Sequence, residues 1–375
     1  MVGVEILPVR SKRERFLFIT MPWKLYLNEP HWVPPTIFEQ KKFIDPKRGV
    51  FFDHGEGILF LARKHNKIVG RISAHINYIH DQIYHDDKGF FGFFECENNQ
   101  QTANALFQAA IDYLKQKGKK YIEGPFSFGI YDEIGVLVDG FNTDPYILNI
   151  HNPPYYRDLL ERAGFEKSVD WYAYRCTSDI QLDEKLFLAR DRVLKRPGFH
   201  LRNINLRELK KEVEIIIEIF HSAWKNNWGH VPFTDRELER LLHGLARFAI
   251  PELSFIIELN ATPVAFALCL YDANVLLKQL NGRLFPFGFI RLLVPNRRKI
   301  NRFRLILMGV MEKYRNRGLE IPFYTCIAEK APKIGFREME ISLVVENNIP
   351  LLSTLQHLPV ELYKTYRIYK KHLAL

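Results

Sequence analysis

The chain has 375 residues, which suits one large domain or two of ordinary size. Hydrophobic residues make up 47% of it and aromatic residues 14%, so the composition predicts a globular chain with ample material for buried cores. The formal net charge of +10 favours a polyanionic partner or surface, the alternative being a basic surface that only keeps the protein in solution.

The cysteines and the start of the chain predict a cytoplasmic protein. The four cysteines are scattered and form no Cys-x-x-Cys pair, which argues against a zinc ribbon or a disulfide scaffold. The first residues lack the apolar stretch of a signal peptide. No window approaches the twenty or so consecutive apolar residues of a membrane-spanning helix.

The first half predicts a meander of strands followed by alternating helices and strands. Ser11 can cap a basic helix that Pro22 should break. Apolar residues recur at helical spacing from Ala103 to Leu114, and Gly118 ends that helix. A glycine-rich loop at 124–141 then interrupts the pattern. Strands are predicted at 5–9, 58–63, 67–77, 89–97, 120–125 and 165–176, and a further helix from Asn152 to Gly164.

The second half repeats this order of elements. One helix presents an apolar face from Leu206 to Trp224, and a capping box at Thr234 and Glu237 opens another helix. Strands are predicted at 199–204, 253–259, 263–271, 305–310, 337–345 and 362–370, with a short helix at 348–357.

Both halves therefore share the order β-α-β-β-β-α-β-α-β, with a period of roughly 190 residues. The sequence identity between the halves is slight, so the repeat is one of element order. Two copies of a mixed sheet flanked by helices predict a layered α+β architecture. We predict one domain at 1–180, a linker at 181–198 and a second domain at 199–375.

A basic turn in the second half has the chemistry of an anion site. The apolar strand at 305–310 leads to Arg315, Arg317 and Gly318, and a helical pattern starts directly afterwards. The start of a helix presents free N–H groups and the positive end of its dipole, and the arginines add charge. Glu320 stands close to the predicted helix start, where its charge would repel a bound anion.

Three residues of the first half are candidates for acid–base work. Glu95 ends the apolar strand GFFGFFE, whose surroundings would raise its carboxyl pKa and make it the first candidate for a base. Glu133 lies in the glycine-rich loop, and His75 alternates with Asn77 on a strand. Each residue also has a purely structural interpretation. Glu95 would be an exposed residue at a strand end, Glu133 a residue that stabilises a turn, and His75 a histidine packed in the core. No histidine or cysteine spacing favours a metal site.

A basic and apolar segment lies between Asn281 and Arg304. It contains seven arginines or lysines and no acidic residue, interspersed with Leu, Phe and Ile. This mixture suits peripheral contact with a membrane surface, here the inner surface of the membrane, or the mouth of a lipid pocket. Binding to RNA, or a docked helix with a solvated basic side, are the alternatives.

Several of these motifs resemble the GNAT (Gcn5-related N-acetyltransferase) superfamily. Arg315-x-x-Gly318-x-Glu320 resembles its pyrophosphate loop, although a small residue is expected in place of Glu320. Asn152-Pro-Pro-Tyr-Tyr followed by Gly164-Phe resembles its asparagine–tyrosine signature, with shorter spacing. The resemblance implies two tandem GNAT folds that bind coenzyme A. It also implies that Tyr156 protonates the leaving thiolate and that Asn347 and Asn348 contact the cofactor in the second half. The first half lacks the loop and is expected to shape the acceptor pocket.

The order of the motifs resembles one family of bacterial tandem-GNAT N-acyltransferases, in which bacterial ceramide synthases are placed. The segments that carry this resemblance are GRISAHIN, GFFGFFE, GPFSFGIYDEIGVLVDGF, NPPYYRDLLERAGFEKSVDWYAY, WKNNWGHVPFTDRE, NGRLFPFG and ISLVVENN. It implies transfer from acyl-CoA or acetyl-CoA, without a metal, to a small-molecule or lipid amine such as a sphingoid base. A Fem-like aminoacyltransferase that uses aminoacyl-tRNA and a non-catalytic acyl-CoA- or lipid-binding relative remain as alternatives. The sequence leaves acyl length, acceptor and oligomeric state open.

Overall fold

The computed structural model describes residues 3–177, 180–284, 288 and 300–373, without the side chains of residues 235, 238, 239, 242 and 243. Most of the basic segment between Asn281 and Arg304 lies outside these ranges. The membrane contact predicted for this segment therefore concerns residues that the structure does not describe. Within the described ranges, no helix combines the length and apolar character needed to cross a bilayer.

The first half alternates short helices with a meander of longer strands. Its strands are β1 (Glu5–Pro8), β2 (Gly55–Lys64), β3 (Lys67–Asn77), β4 (Lys88–Cys96), β5 (Tyr121–Gly124), β6 (Val136–Asp139) and β7 (Glu166–Thr177). Its helices are α1 (Lys12–Thr20), α2 (Pro22–Leu25), α3 (Ile37–Phe43), α4 (Tyr78–Tyr84), α5 (Gln100–Gln116) and α6 (Tyr155–Arg162).

The second half begins within the stretch predicted as a linker, which contains helix α7. Its helices are α7 (Glu184–Leu194), α8 (Leu209–Trp224), α9 (Asp235–Ala246), α10 (Asn274–Leu280), α11 (Ile321–Lys330) and α12 (Ile349–Gln356). Its strands are β8 (Phe199–Asn203), β9 (Phe255–Leu259), β10 (Thr262–Tyr271), β11 (Arg302–Val310), β12 (Glu338–Val345) and β13 (Glu361–His372).

The chain divides into two compact units. Unit 1 comprises Met1–Trp171, Asn274–Pro295 and Lys364–Leu375, and unit 2 comprises Tyr172–Ala273 and Asn296–Tyr363. Two stretches of the second half therefore belong to unit 1. The domain boundaries inferred from the repeat of element order stay a prediction.

Unit 1 is built on a mixed sheet in the order β1-β2-β3-β4-β5-β13, with β6 also beside β13. Neighbouring strands are antiparallel except β4 and β5, which run parallel. Only Lys88, Gly89 and Phe90 of β4 pair with β5, although β4 continues to Cys96. A main-chain hydrogen bond from the Phe126 N–H to the Phe91 oxygen at 2.8 Å still joins β4 to the chain after β5. Beyond it, Phe93, Phe94 and Glu95 of β4 border an opening.

A β-bulge in β4 turns Glu95 towards Arg71. Phe93 has a positive φ of 50°, and the pairing of β3 with β4 shifts register beside it. Because of the extra residue, Phe91 and Phe94 both face the core cluster under α5, whereas Phe93 faces the other side of the sheet. Glu95 then lies directly opposite Arg71 in the register.

The helix α5 covers one face of this sheet and confirms the prediction made from its apolar spacing. The predicted core residues of the helix are all buried: Ala103, Leu106, Phe107, Ala110, Ile111 and Leu114. Asn99 caps the helix by accepting a hydrogen bond from the Thr102 N–H at 3.0 Å.

Unit 2 has a corresponding sheet in the order β8-β9-β10-β11-β12. Its strands are antiparallel except β11 and β12, which run parallel from Arg302 opposite Glu338 to Leu305 opposite Ile341. Both strands continue beyond that point, but they no longer pair with each other, so a gap opens between them. The ends of β11 and β12 and the turns that follow them lie at one edge of the sheet.

Candidate active site

A polar cleft lies in unit 1 beside the end of β4 that pairs only with β3, and with the solvent at its open mouth it encloses about 690 Å³. Its walls come from β3, β4, the glycine-rich loop after β5, the segment before α6, and the Trp32 region after α2. Its ionisable and amide side chains include Arg71, Glu95, Glu133, His151, Asn152 and Tyr156. The cleft therefore contains three of the four predicted catalytic residues.

Glu95 lies at the centre of this cleft and has three polar partners. Its Oε2 accepts hydrogen bonds from the hydroxyls of Tyr26 and Tyr156, each at 2.6 Å, and its Oε1 lies 3.5 Å from Nη2 of Arg71. The side chain is 15% exposed. Burial raises the pKa of Glu95, and the Arg71 charge and the tyrosine hydroxyls offset only part of this effect. A carboxylate with these partners is oriented and unusually basic.

Arg71 supplies a positive charge that the sequence did not single out. Its side chain is buried, its Nη1 donates to the main-chain oxygen of Phe18 at 2.9 Å, and its guanidinium lies over the Phe18 ring. Its Nε is buried and has no hydrogen-bond partner in the described part of the chain. Arg71, Ser73 and His75 are spaced two residues apart on β3 and therefore lie on the same face of the strand. The alternation that suggested His75 could thus also have indicated Arg71.

Glu133 adds a second carboxyl group to the cleft. Its Oε2 accepts a hydrogen bond from the Ser127 hydroxyl at 3.3 Å. Burial raises the pKa of Glu133, and the nearby negative charge of Glu95 raises it further. The positive charge of Arg71 acts on both carboxyl groups and partly offsets the rise in the pKa of each.

Replacing Glu133 by glutamine should stabilise the fold at neutral pH. The folded state holds the Glu133 proton more tightly than the unfolded chain does, so the free energy of unfolding falls as pH rises from the ordinary value of 4.5 through the raised pKa. Glutamine keeps an acceptor for Ser127 and removes the buried charge. We expect a higher unfolding temperature than wild type at neutral pH and none of this difference below pH 4.5, measured by thermal denaturation. An unfolding temperature lowered at neutral pH would contradict this.

Tyr156 is held between the main chain of β4 and Glu95. Its hydroxyl accepts from the Cys96 N–H at 3.0 Å and donates to Glu95, while the ring is buried. Tyr155 beside it donates to the main-chain oxygen of Cys96 at 2.9 Å. The predicted role of Tyr156 as a proton donor to a thiolate stays a prediction. The structure shows it as a hydrogen-bond donor to the candidate base.

His75 does not reach the cleft, although it was predicted as a site residue. It is fully buried among Phe51, Phe90 and Phe128, and its Nδ1 lies 3.3 Å from the Ser73 hydroxyl. Burial lowers the pKa of His75 to about 3, so the ring is neutral. His75 is not among the residues that line the cleft around Glu95.

His151 lines the cleft and was missed by sequence reasoning. Its Nε2 lies 3.1 Å from Oε1 of Glu29, and its Nδ1 is buried without a hydrogen-bond partner among the described residues. Burial lowers the pKa of His151 to about 4. The side-chain amide of the neighbouring Asn152 has a structural role. Its Oδ1 accepts a hydrogen bond from the Leu137 N–H, and its Nδ2 donates one to the Leu137 oxygen.

The predicted anion turn of unit 2 contains a run of main-chain N–H groups that donate no hydrogen bond to the described residues, and within this run Leu319 is buried. Asn316 and Gly318 both have positive φ, and α11 begins only at Ile321. In the described part of the chain, the N–H groups of residues 316–320 donate no hydrogen bond. Successive N–H groups in such a turn form an anion-binding concavity. The exposed side chains of Arg315 and Arg317 border it.

The arginines of this turn are partly fixed by the fold. Arg315 donates to the main-chain oxygen of Ala223, and the Arg317 guanidinium lies 5.4 Å from the centre of the Tyr314 ring. Arg196 from the segment after α7 donates to the main-chain oxygen of Arg317 at 2.7 Å, which brings a further positive charge to the turn. Glu320 makes no side-chain cap bond to the helix.

Asn347 and Asn348 follow β12 at the same edge of unit 2 as this turn. Asn348 caps α12 by accepting from the Leu351 N–H at 3.3 Å, so its side chain has a structural partner, whereas Asn347 is exposed in a turn. The corresponding turn of unit 1 differs, because Glu97 accepts from the Thr102 hydroxyl at the start of α5. A carboxylate therefore already occupies that helix start. Within the described residues, no group of three or more His, Cys, Asp or Glu could hold a metal ion.

Comparison with known proteins places the chain in a family. No protein-family model matches it. Bacterial ceramide synthase from Caulobacter vibrioides is 33% identical over 378 residues, covering 99% of this chain and 98% of that protein. The chain belongs to the bacterial ceramide synthase family. Protein YghO from Escherichia coli K12 is also 33% identical, over 97% of this chain and 94% of its own length.

The solved structures confirm the predicted fold. A tandem GNAT protein from the clavulanic acid biosynthesis pathway superposes with a TM-score of 0.56 at 10% identity, covering 100% of this chain and 99% of that one. The fold is thus the tandem GNAT fold that the motif order predicted. Fold and family together support N-acyl transfer, whereas the individual site residues stay predictions.

Proposed function

We propose that the chain is an acyl-CoA-dependent N-acyltransferase that moves an acyl group to an amine, with a long-chain amine or sphingoid base as acceptor. The observation that carries this proposal is Glu95, a largely buried carboxyl group with a raised pKa that lies in an open cleft and contacts two tyrosine hydroxyls and Arg71. The name of the Caulobacter relative, bacterial ceramide synthase, supports the acceptor class.

Glu95 acts as the general base in this proposal. An amine reaches the cleft as an ammonium ion, which must lose a proton before its nitrogen can attack. Glu95 accepts that proton, and its raised pKa makes it a stronger base than an ordinary carboxylate. The nitrogen forms a bond to the thioester carbonyl carbon and then loses its second proton as the carbon–sulfur bond breaks. The departing thiolate takes up one proton, and Glu95 returns the other to solvent. Tyr26 and Tyr156 hold the carboxylate in position throughout.

The free N–H groups of residues 316–320 are proposed to bind the pyrophosphate of the co-substrate in unit 2. Phosphate oxygens accept hydrogen bonds from such main-chain groups, and arginine adds charge-assisted bonds. Arg315, Arg317 and Gly318 are the residues of this proposed site, with the exposed Asn347 at the same edge. Unit 1 offers no equivalent turn in its described residues, since Glu97 and Asn99 occupy the start of α5.

An acyl-transfer assay tests this function. The purified chain is incubated with acetyl-CoA or long-chain acyl-CoA and a panel of amines, while free thiol and the amide product are measured by mass spectrometry. We expect thiol release that depends on the amine and matches amide formation. Turnover only with aminoacyl-tRNA would favour the Fem-like alternative. Binding of acyl-CoA without turnover on any amine would favour a non-catalytic relative.

A further inference from the structure

Unit 2 contains a mostly apolar cleft beneath helix α11, which together with the solvent at its open mouth encloses about 540 Å³. Its floor is formed by the paired residues of β11 and β12, ending at Leu305 and Ile341, where the strands part. Its roof is the face of α11 that carries Tyr324, Ile327 and Ala328. Such a wall of aliphatic side chains favours a hydrocarbon occupant, because burial of apolar surface is its main source of affinity.

Tyr324 places a single unsatisfied hydroxyl in this apolar wall. The residue is 7% exposed, and its hydroxyl has no hydrogen-bond partner within the described ranges. A buried hydroxyl without a partner costs free energy, so native proteins leave few of them. A bound group that carries one oxygen acceptor would satisfy the Tyr324 hydroxyl while most of the ligand contacts apolar side chains, since Thr177 and Glu338 also belong to the lining.

The position of Tyr324 relates the cleft to the proposed anion turn. Tyr324 lies in the first turn of α11, directly after the free N–H groups of residues 316–320. One turn of helix rises only about 5.4 Å. A ligand with an anionic group at the helix start and an aliphatic tail beneath the helix therefore matches both features of unit 2.

We infer that the cleft beneath α11 binds an aliphatic chain that carries one oxygen acceptor, and that the Tyr324 hydroxyl donates to this oxygen. The inference deepens the proposed N-acyltransferase function and rests on it for the origin of the chain. Two sources share this chemistry, the acyl tail of the donor and the hydrocarbon tail of the acceptor amine.

Binding of the fluorescent fatty acid cis-parinaric acid tests the site without requiring turnover. Ala328→Phe places a ring in the cleft, whereas Ile334→Phe adds the same ring at a position that is 46% exposed and outside it. We expect affinity for the probe to fall by roughly tenfold or more in Ala328→Phe and to be unchanged in Ile334→Phe. Equal affinity in the two variants would overturn the inference, even if the chain proves to be no acyltransferase.

Tyr324→Phe tests the hydrogen bond separately. Because the hydroxyl has no partner in the free protein, its removal should keep or raise the unfolding temperature, while affinity for cis-parinaric acid falls several-fold. A lowered unfolding temperature, or unchanged probe affinity, would contradict the role given to the hydroxyl.

Turnover then identifies the source of the chain. If the cleft holds the donor tail, Ala328→Phe should lose more turnover with long-chain acyl-CoA than with acetyl-CoA, with the same amine. A loss that follows the chain length of the amine would assign the cleft to the acceptor. A loss that is independent of both chain lengths would contradict binding of either tail.

Discussion

Replacing Glu95 by glutamine is expected to lower kcat/KM for the amine by about 10²–10⁴-fold, the usual contribution of a positioned general base. Glutamine still offers an oxygen to the hydroxyls of Tyr26 and Tyr156, but it takes up no proton at neutral pH. The affinity for acyl-CoA should change little, because the residues proposed to bind it lie in unit 2. Steady-state kinetics at fixed acyl-CoA and varied amine measure the effect.

Glu166→Gln is the matched control for this experiment. Glu166 is an exposed carboxylate of unit 1 at the start of β7, outside the cleft. We expect wild-type kinetics from it. Thermal denaturation of Glu95→Gln is needed beside the kinetics, because the substitution leaves Arg71 with less negative charge around it. A folded Glu95→Gln protein with unaltered kcat/KM would remove Glu95 as the base.

Reversing the charges of Arg315 and Arg317 to glutamate is expected to weaken acyl-CoA binding by at least roughly tenfold to a hundredfold. Each charge-assisted hydrogen bond to a phosphate is worth about 1.5–3 kcal/mol, and glutamate also adds repulsion. Isothermal titration calorimetry with a non-hydrolysable acyl-CoA analogue measures the dissociation constant directly.

Lys210→Glu/Lys211→Glu is the control for this charge reversal. Both lysines are exposed on α8 in the same unit, so the variant has the same net charge change without touching the turn. We expect a near-normal dissociation constant at physiological salt, where distant surface charges are screened. Equal weakening in both double variants would show a general charge effect and contradict the placement of the pyrophosphate site.

Much of the fold could be predicted from periodicity and motif order. The apolar face of α5 and the long strands β2 to β4 were found because burial on one side imposes a strict period. The bulge at Phe93 was not predicted, since residues 89–94 are phenylalanine or glycine at every position and show no period that a bulge would break. A contact with a distant part of the chain lies beside the bulge: a Cβ at Gly92 would meet the main-chain oxygen of Phe126 at 1.6 Å, so glycine alone fits there.

The candidate site could be predicted only in part. Glu95 was found because a carboxylate directly after an apolar strand is conspicuous in one sequence window. Tyr26 lies 69 residues away along the chain, so no local pattern could connect the two. His151 gave no signal, because its partner Glu29 comes from the segment after α2. The turn was predicted as an anion site because Arg315, Arg317 and Gly318 occur together, whereas its N–H groups without hydrogen bonds depend on backbone angles that no sequence pattern gives.

The pH dependence of amide formation tests the role of Glu95 most directly. If Glu95 removes a proton from a bound ammonium ion, kcat/KM for the amine should rise with pH through the Glu95 pKa, which lies above the ordinary value of 4.5. The alkaline limb should follow the pKa of the amine, so an amine of lower pKa should move that limb alone. An acid limb that keeps its position when the amine is changed, and that disappears in Glu95→Gln, is the result we predict. An acid limb that shifts with the amine, or that persists in Glu95→Gln, would contradict Glu95 as the base.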